Sequence, residues 1–247
     1  MKDYDYSIQA KYYDVLEANP SVDAFNEVLD KLLKKYKVKS IFDITCGTGA
    51  QAIYLDKKGY KIAASDFSKD MINIAKKKYP KIKFQQADMR SIKLGDFDAV
   101  ISIFNAIGHL SKEDFKRALR NINENLNPNG IYIFDIFNLD FMKNNFIPYE
   151  FIDVAKEVDG IKYVRFNKNK FDKNQALMTM NQRTYIQEGL GKPNIFREEW
   201  DMQIYSSEQL RKILEEKGFE VLEFLSMDGT KFDKDKSLFI LTIARKK

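Results

Sequence analysis

The chain has 247 residues, 44% apolar and 31% charged, with a formal net charge of +5 at pH 7. That is ample for one large domain or a domain with an insertion, and it is an ordinary globular composition rather than a disordered one. A single cysteine, Cys46, and a single histidine, His109, exclude an internal disulfide and any site built from several Cys and His ligands; a metal would need carboxylates alone, and none is expected.

In chain order, residues 8 to 36 come first, with Val22, Phe25, Val28, Leu29, Leu32 and Leu33 at helical spacing. They predict a helical N-terminal extension. From Ser40, the runs 41–44, 60–64, 82–84, 97–103 and 131–136 read as buried strands. Helical patterns fall between them near 50–58, 69–78 and 112–126. The last opens on a cap, Ser111 with Asp114 three residues on, and is expected to stop at Asn127-Pro128-Asn129-Gly130. Residues 145 to 205 instead show extended, partly alternating segments separated by turn signals such as Asp159-Gly160, which predict an inserted antiparallel β subdomain. A helix over 207–217 with a stop at Gly218 follows, then two strand-like runs, 219–225 and 238–244.

Strands alternating with helices imply an α/β fold: a doubly wound, mostly parallel sheet, here of seven strands, with right-handed crossovers and helices on both faces. The expected division is an α/β domain of residues 1–144 and 206–247, begun by a helical lid, with residues 145–205 as a β cover.

The excess positive charge points to no particular partner. Its lysines cluster at Lys31 to Lys39 and Lys76 to Lys83, among apolar residues at helical spacing or in a helix-to-strand connection, the pattern of a solvated outer face. Residues 145 to 205 carry nine Lys/Arg against nine Asp/Glu, so the insertion has no net field to draw a phosphate backbone. No apolar run approaches the ~20 residues of a membrane-spanning helix. The opening Met1-Lys2-Asp3-Tyr4 is unlike a signal peptide, and a cytoplasmic location is expected.

The chemistry is concentrated in Asp43-Ile44-Thr45-Cys46-Gly47-Thr48-Gly49-Ala50-Gln51-Ala52, where the first strand hands over to a helix. In an open α/β sheet the ligand crevice lies beyond the carboxyl ends of the strands. The glycines allow backbone to approach a ligand closely, and the helix N-terminus offers free N–H donors. Gly47 to Ala52 also fits the dinucleotide pattern G-x-G-x-x-A, which leaves a nicotinamide-dependent oxidoreductase as an alternative. Asp43 discriminates. Two unit charges ~6 Å apart at an effective dielectric of 20 interact by roughly 3 kcal/mol, so a carboxylate facing the loop disfavours a pyrophosphate and favours a cationic ammonium or sulfonium. Asp66, ending the second strand, is placed to accept hydrogen bonds from ribose hydroxyls. Cys46 reads as a small loop-packing residue.

With these residues the chain resembles the class I S-adenosylmethionine-dependent methyltransferases, whose glycine motif usually reads D-x-[AG]-x-G-x-G. The resemblance runs from about Ser40 to Phe137, with Thr45 standing where a Gly or Ala is more usual. It implies S-adenosylmethionine as cofactor, held by Asp43, Gly47, Thr48, Gly49, Asp66 and the adjoining Phe67. Asp88 and Met89 would lie at the adenine, and Phe104 on the methyl-donor side. A cofactor-binding protein without catalysis is a further alternative.

His109, just beyond the fourth strand, has an ordinary pKa suited to taking a proton from an ammonium or hydroxyl. Ile107-Gly108-His109-Leu110, Asp88-Met89-Arg90, Tyr13-Asp14 and the late β insertion are similar to small-molecule N-methyltransferases acting on nucleotide-linked amino sugars, and less closely to glycine methyltransferases. That likeness implies Tyr13 and His109 near an acceptor amine. Lys234-Asp235-Lys236-Ser237-Leu238-Phe239 replaces the Gly-Arg-Gly-Leu-Phe type segment of the sugar enzymes. The fourth strand is followed by Phe104-Asn105-Ala106, with neither Asn-Pro-Pro-Tyr nor Pro-Cys, which argues against methylation of nucleic-acid bases. A small-molecule acceptor is expected.

Overall fold

The structure is a computed structural model and describes residues 10–247; Met1 to Tyr4 and the first two positions of the expected N-terminal helix lie outside the described residues. Two helices open the described chain, α1 (Ala10–Glu17) and α2 (Pro20–Lys35). Asn19 stops one and starts the other: its Oδ1 accepts the Ser21 N–H at 2.9 Å, and Pro20 supplies the first helical position.

The α/β body follows as β1 (Ser40–Asp43), α3 (Ala50–Lys57), β2 (Lys61–Asp66), α4 (Lys69–Lys78), β3 (Phe84–Gln86), β4 (Phe97–Ser102), α5 (Lys112–Glu124) and β5 (Leu126–Phe137). After the second sheet it closes with α7 (Ser207–Glu216), β11 (Phe219–Leu225) and β12 (Phe239–Lys246). The seven strands lie in the order β11-β12-β5-β4-β1-β2-β3. The pairs from β3 to β5 are parallel, while β12 runs antiparallel to both β5 and β11. Strand order reverses at β1: the chain moves outward to β2 and β3, then returns to lay β4 on the other side. Alternation along the strands sends Phe42, Val100, Tyr132 and Phe134 into one core with α5 and α7, and Ile41, Ile101, Ile131 and Ile133 into another beneath α2.

One boundary differs from expectation. Helix α5 keeps its Ser111 cap, with the Asp114 N–H donating to Ser111 Oγ, but it ends at Glu124 and the chain enters β5 at once. Asn127-Pro128-Asn129-Gly130 is therefore the irregular start of a strand: Leu126 already pairs with Phe97, and the register shifts before Ile131 meets Ala99. A helix unread in the sequence, α6 (Leu139–Asn145), leads to the second sheet. Asn138 caps it through the Asp140 N–H, and Leu139 and Met142 anchor it beside Trp200 and Met202.

The second sheet comprises β6 (Phe151–Val158), β7 (Ile161–Asn167), β8 (Lys170–Asp172), β9 (Leu177–Glu188) and β10 (Asn194–Gln203), all antiparallel, in the order β10-β9-β7-β6 with β8 also on β9.

Candidate active site

The glycine loop leaves β1 under tight control. The Cys46 N–H donates to the Ser65 carbonyl at 2.8 Å and the Gly49 N–H to the Cys46 carbonyl at 2.8 Å. Gly47 and Gly49 both have positive φ, 53° and 86°, but for different ends. A Cβ on Gly49 would lie 2.9 Å from the Phe84 ring, whereas one on Gly47 would meet nothing within 4 Å. Gly49 lets α3 pack on the sheet, and Gly47 leaves bare backbone. Cys46 is buried among Ala52, Ala64 and Phe84, and burial pushes its thiol up, so it serves as packing.

Two acids stand at this loop. Asp43 is 3% exposed; burial first, then the charge of Asp66, pushes its carboxyl up to about 8, eased by the Thr45 N–H. Asp66 accepts the Gly47 N–H at 2.8 Å and the Ser68 N–H at 2.9 Å, and burial raises it as well. Phe67 beside it is 71% exposed. Asp88 is gripped by Arg90, whose Nε lies 2.9 Å from both carboxylate oxygens and whose Nη2 is 2.6 Å from Oδ2. Those bonds hold Asp88 below the usual carboxylate range. The Met89 side chain packs into the main core, and its carbonyl accepts from Asn121.

Beyond β4, Phe104 and Asn105 both have left-handed backbone, φ 62° and 60°. Their N–H groups donate to the two oxygens of Asp135, at 2.5 and 3.1 Å. Asn105 then begins the short 3-10 turn Ala106–His109, its carbonyl accepting the Gly108 N–H at 2.8 Å. The turn is pressed on β10: a Cβ on Gly108 would come 2.8 Å from Met202 Cε. The half-exposed Phe104 ring stands 5.5 Å from that of Phe25 on α2. Sequence reading missed Asp135 as a site residue, although a signal was present: Ile-Phe-Asp-Ile occurs twice, at 41–44 and 133–136, each time burying an acid at the carboxyl end of a strand.

Tyr13 and Asp14 sit on α1, which bridges the two sheets. Asp14 accepts a hydrogen bond from Thr48 Oγ1 of the glycine loop and pairs with Lys78 at 2.6 Å. On the other side, Leu16 packs with Val154, Tyr163 and Ile186, and Glu17 pairs with Arg165, which also binds Asp153 at 2.7 Å. The Tyr13 hydroxyl is raised by burial and by the charges of Glu17 and Asp66, with Arg165 opposing. It therefore lies within the field of the glycine-loop acid. Glu17 and Arg165 carried no signal in the sequence, because only the register of β7 brings them to α1.

The face of the second sheet that carries Tyr163 and Arg165 also carries a buried polar row, Asn167, Gln182 and Glu198, aligned across β7, β9 and β10. Asn167 Oδ1 is buried without a hydrogen-bond partner. This row lies between the rows that touch α1 and the Trp200 and Met202 end that meets the His109 turn. Among the described residues no group of three or more His, Cys, Asp or Glu converges as a metal site would, and no helix is long and apolar enough to cross a membrane.

Residues 41–130 match the family described as "Methyltransferase domain", which takes in the glycine loop, Asp43, Asp66, Asp88 and the His109 turn. That match covers the first part of the α/β body, and over it the chain is similar to methyltransferases. Among curated relatives, a dTDP-3-amino-3,4,6-trideoxy-alpha-D-glucopyranose N,N-dimethyltransferase of Streptomyces venezuelae is 33% identical over 99 residues, 39% of this chain and 42% of that protein. A glycine/sarcosine N-methyltransferase of Parasynechococcus marenigrum is 32% identical over 134 residues, 51% of this chain and 48% of that protein. The chain thus spans about half the length of these curated relatives. The fold extends over the whole molecule: an S-adenosylmethionine-dependent methyltransferase structure from Clostridium acetobutylicum superposes with a TM-score of 0.81 at 19% identity, covering 98% of each chain.

Proposed function

We propose that this protein is a methyltransferase that transfers a methyl group from S-adenosylmethionine to a small-molecule acceptor, an amine. The observation that carries the reading is Asp43, a buried carboxyl at the glycine loop, raised by burial and by Asp66. A buried acid pair at the glycine loop favours a cationic ligand over a pyrophosphate, which supports this reading against the nicotinamide one. Gly47, with open space where its Cβ would stand, is the point of close approach. In this reading Asp43 takes the ammonium, Gly47, Thr48 and Gly49 line the cofactor, Asp66 takes the ribose, Phe67 and the Asp88-Met89 segment flank the adenine, and Phe104 borders the methyl group. The cofactor supplies an electrophilic methyl on a sulfonium.

The acceptor then lies under the second sheet, between α1 and the His109 turn. His109 takes the proton that the amine must lose, and Tyr13 orients the amine. The polar row of Asn167, Gln182 and Glu198 supplies hydrogen bonds to it. Residues 1–144 and 206–247 act as the cofactor domain and 145–205 as its cover. Names of both the sugar-amine and the glycine N-methyltransferase relatives support nitrogen as the site of methylation. We place the protein in the cytoplasm, acting on neither nucleic acid nor membrane.

The test is direct. S-adenosylhomocysteine, and not NAD, should raise the unfolding temperature, because only a ligand of the native state does so. A panel of amines, amino acids and amino sugars should then contain a member that yields S-adenosylhomocysteine. Protection by NAD instead overturns the reading, and cofactor binding with an acceptor pocket too small for any amine favours a protein without catalysis.

A further inference from the structure

Two consecutive non-glycine residues with positive φ are a costly way to leave a strand, and a bulky aromatic is among the least tolerant residues there. Phe104 and Asn105 do this where β4 passes into the turn that ends on His109. Their two N–H groups find the two oxygens of one side chain, Asp135, which is 1% exposed on β5. It shares the strand face of Ile131 and Ile133, beneath α2. We infer that Asp135 is a positioning residue for methyl transfer: its carboxylate clamps the left-handed pair and so fixes the His109 turn against β10. This rests on the function proposed above.

Chemistry makes the acid specific to the task. An asparagine offers one acceptor oxygen and turns its amide N–H toward the second backbone donor, so it satisfies one residue of the pair and repels the other. The cost of burying the acid is visible in its carboxyl, which burial pushes up to about 7 against the backbone hydrogen bonds it accepts, those of Phe104 and Asn105 foremost. On the far side the turn is fitted too closely to adjust, since Gly108 has no room for a Cβ between Met202 and Ile136. The clamp and this contact hold the turn from its two ends.

The experiment compares Asp135→Asn, Asp135→Asn with Asn105→Gly, and Asn105→Val, by amide exchange over residues 103–110, S-adenosylhomocysteine affinity and turnover of an amine that the wild type methylates. Asp135→Asn should speed exchange at 103–110 and lower turnover at least about tenfold, with cofactor affinity changed far less. Adding Asn105→Gly should restore both toward wild type, because glycine adopts positive φ without the clamp. Asn105→Val, with Asp135 intact, should loosen the same segment and decides the matter if Asp135→Asn does not fold. Wild-type exchange in the folded single variants overturns the inference, as does a double variant no better than Asp135→Asn. A wild type that fails to bind S-adenosylhomocysteine defeats the functional reading instead, and the exchange data still judge the clamp.

Discussion

The two sheets build the proposed site in opposite ways. On the seven-stranded sheet the site residues are read from short stretches of chain: Asp43 and the glycines lie within seven residues, Asp66 ends the next strand, and Asp88 follows the third. The fold brings these stretches together because all three strands run parallel and end on one edge. On the five-stranded sheet nothing comparable is local. Arg165, Asn167, Gln182 and Glu198 meet only through antiparallel register, and α1 reaches them from the other end of the chain. A cofactor that is the same in every member of a family suits a local motif, whereas an acceptor that varies suits a surface assembled from distant positions.

The largest expected effect breaks the cofactor side alone. Asp43→Asn should weaken S-adenosylhomocysteine binding about 10- to 100-fold, the range of a lost charge-assisted hydrogen bond, measured by calorimetry. The same change should stabilise the unliganded protein more at pH 8 than at pH 5. The native Asp43 carboxyl binds its proton up to about 8 while the unfolded one releases it near pH 4. Across that window the native state holds more protons, so stability falls as pH rises, and asparagine removes the penalty.

Next in size is the pH dependence of binding. A cationic ligand needs the Asp43 carboxylate, so affinity should climb between pH 6 and 8, by up to about tenfold per unit, with proton release seen as a buffer-dependent heat. An affinity flat across that range would detach Asp43 from the ligand.

The two glycines sharpen the comparison within the loop. Gly49→Ala forces a methyl group against Phe84 at positive φ and should cost about 1–3 kcal/mol of stability, read from denaturant unfolding. Gly47→Ala should cost less stability yet weaken cofactor binding more, since only its Cβ points into open space. The smallest effects belong to the bridge: Asp14→Ala should change stability by about 0–1 kcal/mol. Arg165→Ala should raise the Michaelis constant for the amine more than the dissociation constant of S-adenosylhomocysteine, and equal effects on both would deny the division between the sheets.

Much of the α/β body is legible in the sequence because buried parallel strands are continuous apolar runs and helices between them repeat at 3.6 residues. The end of α5 was misread for a local reason: Asn127-Pro128-Asn129-Gly130 has turn chemistry, but pairing of Leu126 with Phe97 draws the chain into the sheet before a turn forms. Helix α6 was missed because seven residues carry too little periodicity, and packing of Leu139 and Met142 beside Trp200 supplies what propensity lacks. The sequence offers Asp88 as a candidate site acid, but its bidentate pairing with Arg90 is not legible there, since pairing two residues apart depends on how the loop bends.

The composition and the glycine motif by themselves determined where the proposed cofactor site would lie: one histidine and one cysteine leave no site of several Cys and His ligands, and an acid ahead of Gly-Thr-Gly marks the loop after the first strand. The tertiary structure alone decided what holds those residues in place. The Asp135 clamp on Phe104 and Asn105, the seat of Gly108 on Met202 and the ties of α1 to Thr48 and Arg165 join positions tens to more than a hundred residues apart. Strand register and close packing place them, and no spacing along the chain records either.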